Sequence, residues 1–523
     1  MSTGRRAASV AVLALLATAC PSHPSSKPST TATPSTPGAA AGTVVIAYPA
    51  EPATLDPFVP AGDTPATRDI ARMLMPGLYR IAPSGERARW LLASDPVESN
   101  GPPFSVTVTL RNDAVWSDGT PITVDDLRFT WQTALRMQIA RAGYDQISRI
   151  VAETPKRARI EFRSTFRRWH DLFSAGLGVL PAHALGTPKQ RASLASGWPV
   201  SGGPFVLKAW HKGLDMIFEP NPHAWFGRPL LRRLRVVFVP DDIGAMALFA
   251  RGSVNALGPY VAVDWVRRAQ AVPGATVTTD LGQTWMGIVL SARSSVLSDV
   301  HVRQAFADSL DRARLVAAFV QAQGSKLDAV PPVTGAPFRV YGNVEHARAT
   351  LAADGWKGSP IRSKGGKRLT FTIAVADSDG LGGLFARAIT YQAVRAGIDV
   401  QAITLPIDKL MSSWVTGSRF EAAILEWRDP PDGAARARFA SGGKLLNIAR
   451  ISDATLNGDF LTEDTSASAA GKEASQARFA VIVPVIPVAG LRVSLVASAR
   501  VHGLAANADA DGPFWNVEQW FVS

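Results

Sequence analysis

The stretch from Leu369 to Ile403 restricts the fold of this chain more than any other. Leu369 to Val375 reads as a strand, Leu384 to Ala396 as a helix, and Ile398 to Ile403 as a second strand, with Gly397 at the turn between them. A strand, a helix and a strand joined in this way form a βαβ unit, whose two strands lie parallel in one sheet. Short strands alternate with helices elsewhere too. Val44 to Tyr48 and Leu234 to Val239 read as buried strands, and Phe205 to Trp210 with Leu214 to Phe218 as a hairpin. Ile243 to Arg251 reads as a helix stopped by Gly252. Val300 to Val320 reads as one amphipathic helix with Val302, Phe306 and Leu310 inward and Arg303, Asp308 and Arg312 toward solvent. The tail from Val481 to Val501 is rich in strand formers, and Pro484 and Pro487 place it at a sheet edge.

At 523 residues the chain is too long for one core, and roughly three domain-sized units are expected. Its formal charge is +12, but Lys and Arg are scattered, so a solvated basic surface is the simpler reading and no nucleic-acid partner is called for. The one cysteine, Cys20, excludes an internal disulfide and a zinc site built on cysteines. It follows a basic start (Arg5, Arg6) and an apolar run from Ala7 to Ala19 that is too short to span a membrane. Leu16 to Cys20 resembles a bacterial lipobox, with Ala17 where Leu is usual, which implies a lipoprotein signal peptide over residues 1–20 and lipidation of Cys20. Residues 21–43 form a Pro/Ser/Thr linker without enough apolar surface to fold. The eight His show no His-Glu-x-x-His spacing, and there is no phosphate loop, nucleophile elbow or dinucleotide fingerprint. No cofactor or metal is expected, and no enzyme; a secreted hydrolase is the least favoured reading.

Between Phe104 and Leu135 the chain reads as a half-buried strand, a turn at Asp118-Gly119, and a helix capped by Thr123 with Asp126 three residues on. The residues from Trp116 to Asp126, together with Leu110-Arg111-Asn112, resemble the signature of the family 5 bacterial extracellular solute-binding proteins. These are the receptors of peptide, nickel and related ABC importers. Further similarities follow in order: Thr54 to Pro57, Ser201 to Phe205, Asn221-Pro222 with Trp225, Val302 to Phe306 with Asp311-Arg312, and Ala347 to Trp356.

The resemblance implies an α/β, two-lobed periplasmic-binding-protein-like fold (class II, large) with an extra subdomain inserted in the first lobe. The first lobe is expected from 44–86, 196–282 and 478–523, the insertion from 87–195, and the second lobe from 283–477. It also implies a monomeric, lipid-anchored receptor on the extracellular face of the cell membrane. Such a receptor captures an oligopeptide or dipeptide between closing lobes and passes it to an ABC permease driven by ATPase subunits. The alternative is a binding protein of the same fold for a non-peptide solute, with a sensing or scavenging role.

In peptide-binding members a strand near the end of the second lobe carries a Trp and then an Asp that holds the ligand's terminal amine. Here Trp427 and Asp429 are the match, with Asp432 second. Arg428 adjoins Asp429 and either neutralises it or faces a ligand carboxylate; a surface Arg–Asp pair is the plainer alternative. Ala61 and Asp63 match a cleft-lining segment whose backbone can pair with an extended ligand, although Asp63 also reads as a turn residue. Trp285 is either a cleft aromatic or core, and Trp414 is expected in the core.

Overall fold

The computed structural model describes residues 42–137, 141–174, 177–260, 264–321, 324–327, 330, 342–377, 379–411, 417, 419–428, 438–441, 447–466 and 469–523. Cys20, Trp414, Asp429 and Asp432 lie outside the described residues. No helix among the described residues is long and apolar enough to cross a membrane.

Three sheets organise the chain. The first has seven strands, in the order Thr276–Asp280, Val493–Ala497, Ala256–Leu257, Thr43–Tyr48, Arg233–Phe238, Asp215–Pro220 and Phe205–His211. The apolar run Thr43–Tyr48 lies inside it, parallel to strands on both sides, with Val44 opposite Leu234 and Ile46 opposite Ala256. Such a strand is covered on both faces, which is why it reads as continuous hydrophobicity. The second sheet has six strands, in the order Gly324–Lys326, Val485–Leu491, Thr284–Leu290, Ala422–Arg428, Thr370–Ala376 and Asp399–Leu405. The expected βαβ unit is present: Thr370 faces Asp399 in a parallel pair, and the helix Gly380–Val394 connects them. Gly397 has φ +88°, a conformation that favours glycine. The third sheet is antiparallel and joins Val97–Ser99, Ser105–Thr109, Arg157–Phe162 and Ile147–Thr154.

The third sheet shares one hydrophobic core with the first, whereas the second sheet has its own. The corner at Trp116 makes that join. Thr123 and Asp126 form a capping box, and the Asp126 carboxylate also accepts from the Trp116 indole at 3.4 Å. Ser117 exchanges hydrogen bonds with Ser201, at 2.7 and 2.9 Å. A Cβ on Gly202 would lie 2.9 Å from the Trp116 ring, so that loop requires glycine to approach it.

The chain crosses between the first two sheets at two adjacent places. Residues 281–283 separate Thr276–Asp280 from Thr284–Leu290, and Arg492 alone separates Val485–Leu491 from Val493–Ala497. The crossings lie side by side, because Asp280 pairs with Val493 and Trp285 with Gly490.

The structure corrects four expectations. Val485–Leu491 belongs to the second sheet, so the segment 478–523 is not wholly first-lobe. Nor is that strand an edge: Gly324–Lys326 lies outside it. Pro487 is tolerated because the ladder shifts register opposite it, between Met286 and Gly287, and its carbonyl accepts from Arg312. The helix expected over 300–320 is two helices, Val300–Ser309 and Arg312–Phe319, broken where Leu310 turns extended and Asp311 caps the second. Arg303, Asp308 and Arg312 are buried rather than solvated. Arg303 donates to the carbonyls of Ile482 (2.8 Å) and Leu297 (2.7 Å), and Asp308 meets His346 at 2.9 Å. Helical periodicity identifies one inward face, but further elements cover the other.

Candidate functional site

A cavity of about 530 Å³ opens between the first two sheets. One wall comes from the start of the chain. Tyr48 ends the first strand, Glu51 and Ala53 follow, and Ala61 and Asp63 lie on the turn before the helix Pro65–Arg72. Thr64 caps that helix by accepting from the Thr67 amide at 3.2 Å, and Pro65 occupies its first position, so the turn is held in place locally. Asp242, Tyr260 and Val493 complete this side. The opposite wall is the end of the strand Ala422–Arg428, the start of the helix Gly380–Val394, and Leu410 and Met411.

Of the residues singled out in the sequence, Ala61, Asp63, Trp427 and Arg428 all line this cavity. Trp285 does not. It is 1% exposed, in the core of the second sheet, and its ring packs on Trp427 at 4.5 Å between centroids, inclined by 39°. The core reading of Trp285 therefore holds, and its contribution to the site is to support Trp427.

Arg428 has a partner that neither sequence alternative included. It forms a buried ion pair with Asp69, which lies in the helix Pro65–Arg72 and is 359 residues away in the chain. Its Nε donates to Thr284 Oγ1 at 3.2 Å, and its carbonyl accepts from Arg68 Nη1 at 3.0 Å. Tyr48 donates its hydroxyl to the other Asp69 oxygen at 2.5 Å, and Arg68 pairs with Asp63. The two walls are thus tied by charge-assisted bonds. Burial alone pulls the Arg428 guanidinium toward neutrality, but Asp69 reverses this and holds its pKa above the ordinary arginine value.

Two further cavity residues have no role assigned from the sequence, although Glu426 opens the candidate segment that runs to Asp432. Glu426 precedes Trp427 on the same strand, and Asp379 caps the helix Gly380–Val394 by accepting from the Gly382 amide at 2.7 Å. Glu426 has no hydrogen-bond partner among the described residues. Burial, followed by the charge of Asp379, raises its pKa to about 7, with Arg428 opposing. Burial likewise raises Asp379, against the Gly382 amide. A sequence signal existed, since Glu426 is the one charged residue between Ala422 and Trp427 in an otherwise apolar strand.

No His, Ser or Cys lines the cavity among the described residues. Asp299, His301 and Asp354 converge at the surface, where Lys364 meets Asp354 at 2.9 Å and supplies the opposing charge.

A family model described as "Bacterial extracellular solute-binding proteins, family 5 Middle" matches residues 89–442. Among curated proteins, Protein XP55 of Streptomyces lividans is 27% identical over 373 residues, covering 69% of this chain and 66% of that protein. The oligopeptide-binding protein AppA of Bacillus subtilis is 24% identical over 405 residues, covering 74% and 73%. The structure of AppA in complex with a nonapeptide superposes with a TM-score of 0.83 at 20% identity, covering 93% of this chain and all (100%) of that one. NikZ of Campylobacter jejuni, in complex with Ni(L-His), gives 0.78 at 19% identity, covering 92% and 99%. The match to residues 89–442, with the two-sheet α/β architecture around a central cavity, leads to one conclusion: this chain belongs to family 5 of the bacterial extracellular solute-binding proteins.

Proposed function

We propose that the protein is the lipid-anchored receptor of an ABC importer and that it captures a short peptide between its two sheets. The observation that carries this reading is the cavity itself. It lies between two walls joined by two adjacent strand crossings, and it combines apolar surface with a few charged groups. At about 530 Å³ it falls within the range of roughly 300–1,000 Å³ usual for small ligands. That size favours a short peptide over one as long as the nonapeptide bound by AppA. Closure of the two lobes buries the ligand, and the Arg428–Asp69 pair stabilises the closed arrangement. A membrane permease and its ATPases receive the cargo, and the receptor acts as a monomer. Cys20 carries the lipid, and the segment between it and the first strand at Thr43 tethers the folded body to the outer face of the membrane.

Mass spectrometry of the solute that co-purifies with the protein tests the ligand class. Thermal denaturation in defined peptide mixtures tests it independently: a ligand at one hundred times its Kd stabilises the native state by about 2.7 kcal/mol. A peptide in the bound fraction and a raised Tm are the expected results. A co-purifying solute that is not a peptide, with no thermal shift from peptides, would overturn the peptide reading. Labelling with a fatty-acid analogue tests the anchor. The label is expected on the wild-type chain and absent after Cys20→Ala; a chain that stays unlabelled would remove the anchor from the proposal.

A further inference from the structure

The charged groups of the cavity are unevenly partnered. Asp63 is paired with Arg68, Asp242 with Arg268, and Arg428 with Asp69. Glu51 accepts from the Trp210 indole at 2.6 Å and the Gly213 amide at 2.9 Å. Arg387 is exposed at the rim and Arg492 lies at the strand crossing. This leaves Glu426, which accepts from no described residue, and Asp379, which accepts from one backbone amide. Both line the cavity from the second sheet's side.

An enclosed carboxyl without a partner is destabilising, and such groups concentrate where a ligand completes the arrangement. Arg428 does not complete it here, although it follows on the same strand face as Glu426, because its Nη1 and Nε already serve Asp69 and Thr284. Of the charges that act on Glu426 directly, Asp379 and Asp69 are acidic and Arg428 is basic, while Arg387 and Arg492 lie at the cavity's rim and crossing. Beside the two carboxyls, Leu381, Leu384 and Met411 form an apolar wall suited to a methylene stem.

Building on the receptor reading above, we propose that Glu426 and Asp379 together hold the cationic group of the ligand, a primary ammonium or a guanidinium. Its aliphatic stem lies along Leu381, Leu384 and Met411. Binding then requires both carboxyls in their charged form. A cation that enters a site where Glu426 is half-protonated near pH 7 drives that proton off, so affinity rises with pH and protons are released on binding.

Isothermal titration with synthetic tripeptides tests this. The probes carry a central Lys or Arg, the neutral isosteres norleucine or citrulline, and a free or acetylated N-terminus, and a free aliphatic diamine is included. Repeating each titration in two buffers of different ionisation enthalpy reads the proton release. Cationic probes are expected to bind at least roughly tenfold more tightly than their isosteres. Glu426→Gln and Asp379→Asn should each abolish that preference, with folding checked by circular dichroism. Affinity should rise several-fold from pH 6 to pH 8. Loss of binding on acetylation alone would assign the site to the peptide's own terminal ammonium; loss on Lys→norleucine alone would assign it to a side chain. Binding of the diamine but no peptide would keep the cation site and overturn the peptide reading. Equal binding of isosteres and cationic probes, unchanged by Glu426→Gln, would overturn the cation site and leave the receptor reading intact. Tighter binding at low pH would also overturn it, because the carboxyls would then be acting as neutral donors. No binding by any probe would overturn both.

Discussion

On the first sheet's side of the cavity, Asp63, Asp242 and Glu51 all have partners within their own wall. On the second sheet's side, Glu426 has none among the described residues and Asp379 has a single amide. The difference separates two tasks. The first wall is a frame whose charges are satisfied whether or not a ligand is present. The second wall keeps carboxyls with little or no partnering among the described residues, and under the proposal above it is these that choose the ligand. Arg428 belongs to the second wall by chain position but is paired with the first through Asp69, and so it joins the walls.

The strongest way to break this comparison is at the join. Arg428→Ala leaves Asp69 buried without its counter-charge, and a loss of about 3–5 kcal/mol is expected from the urea unfolding midpoint. Restoring neutrality with Asp69→Asn in the same chain should recover part of that loss. A single variant within about 1 kcal/mol of wild type would show that the walls do not depend on this pair.

The unsatisfied wall predicts a gain. Glu426 binds its proton more tightly in the folded protein, about 7 against an ordinary 4.5. Folding therefore takes up a proton in that window, and the native state loses stability as pH rises through it. A rise of that size corresponds to about 3 kcal/mol. The ligand-free Glu426→Gln variant should be more stable than wild type by about that amount at pH 8 and equal to it near pH 4. Thermal melts at the two pH values decide this, and an unchanged Tm at pH 8 would mean that Glu426 is satisfied after all.

Two smaller effects sharpen the contrast between frame and site. Asp126→Ala removes the capping box and the partner of the Trp116 indole, neither of which lines the cavity. A loss of about 1–2 kcal/mol with unchanged ligand affinity is expected. Asp63→Asn removes the charge from one largely enclosed pair in the frame but keeps an acceptor for Arg68, and its cost should be about 1–2 kcal/mol. If it changed ligand selectivity as strongly as Glu426→Gln does, the division between the two walls would fail.

Much of the fold was legible because its signals are local. The βαβ unit at 370–405, the cap at Thr123 and the hairpin from Phe205 to Pro220 each depend on residues near one another in the chain. Arg303, Asp308 and Arg312 were misplaced because burial on a helix's second face depends on elements that pack there from elsewhere. Pro487 misled for a related reason: a register shift can admit proline to an inner strand, and no local pattern announces it. At the site, Ala61, Asp63, Trp427 and Arg428 were found through family resemblance, while Glu426 opened the candidate segment without a role and Asp379 was passed over.

The sequence by itself determined the class of the fold, the order of its elements and the family. Those follow from periodicity, turn chemistry and a succession of motifs, all readable along the chain. Only the tertiary structure decided which charges meet. Asp69 and Arg428 are separated by 359 residues and joined in space, and Glu426 faces the cavity without a hydrogen-bond partner among the described residues. Hydrogen bonding and ion pairing act over a few ångströms, and where the chain brings its distant segments within that reach is set by packing.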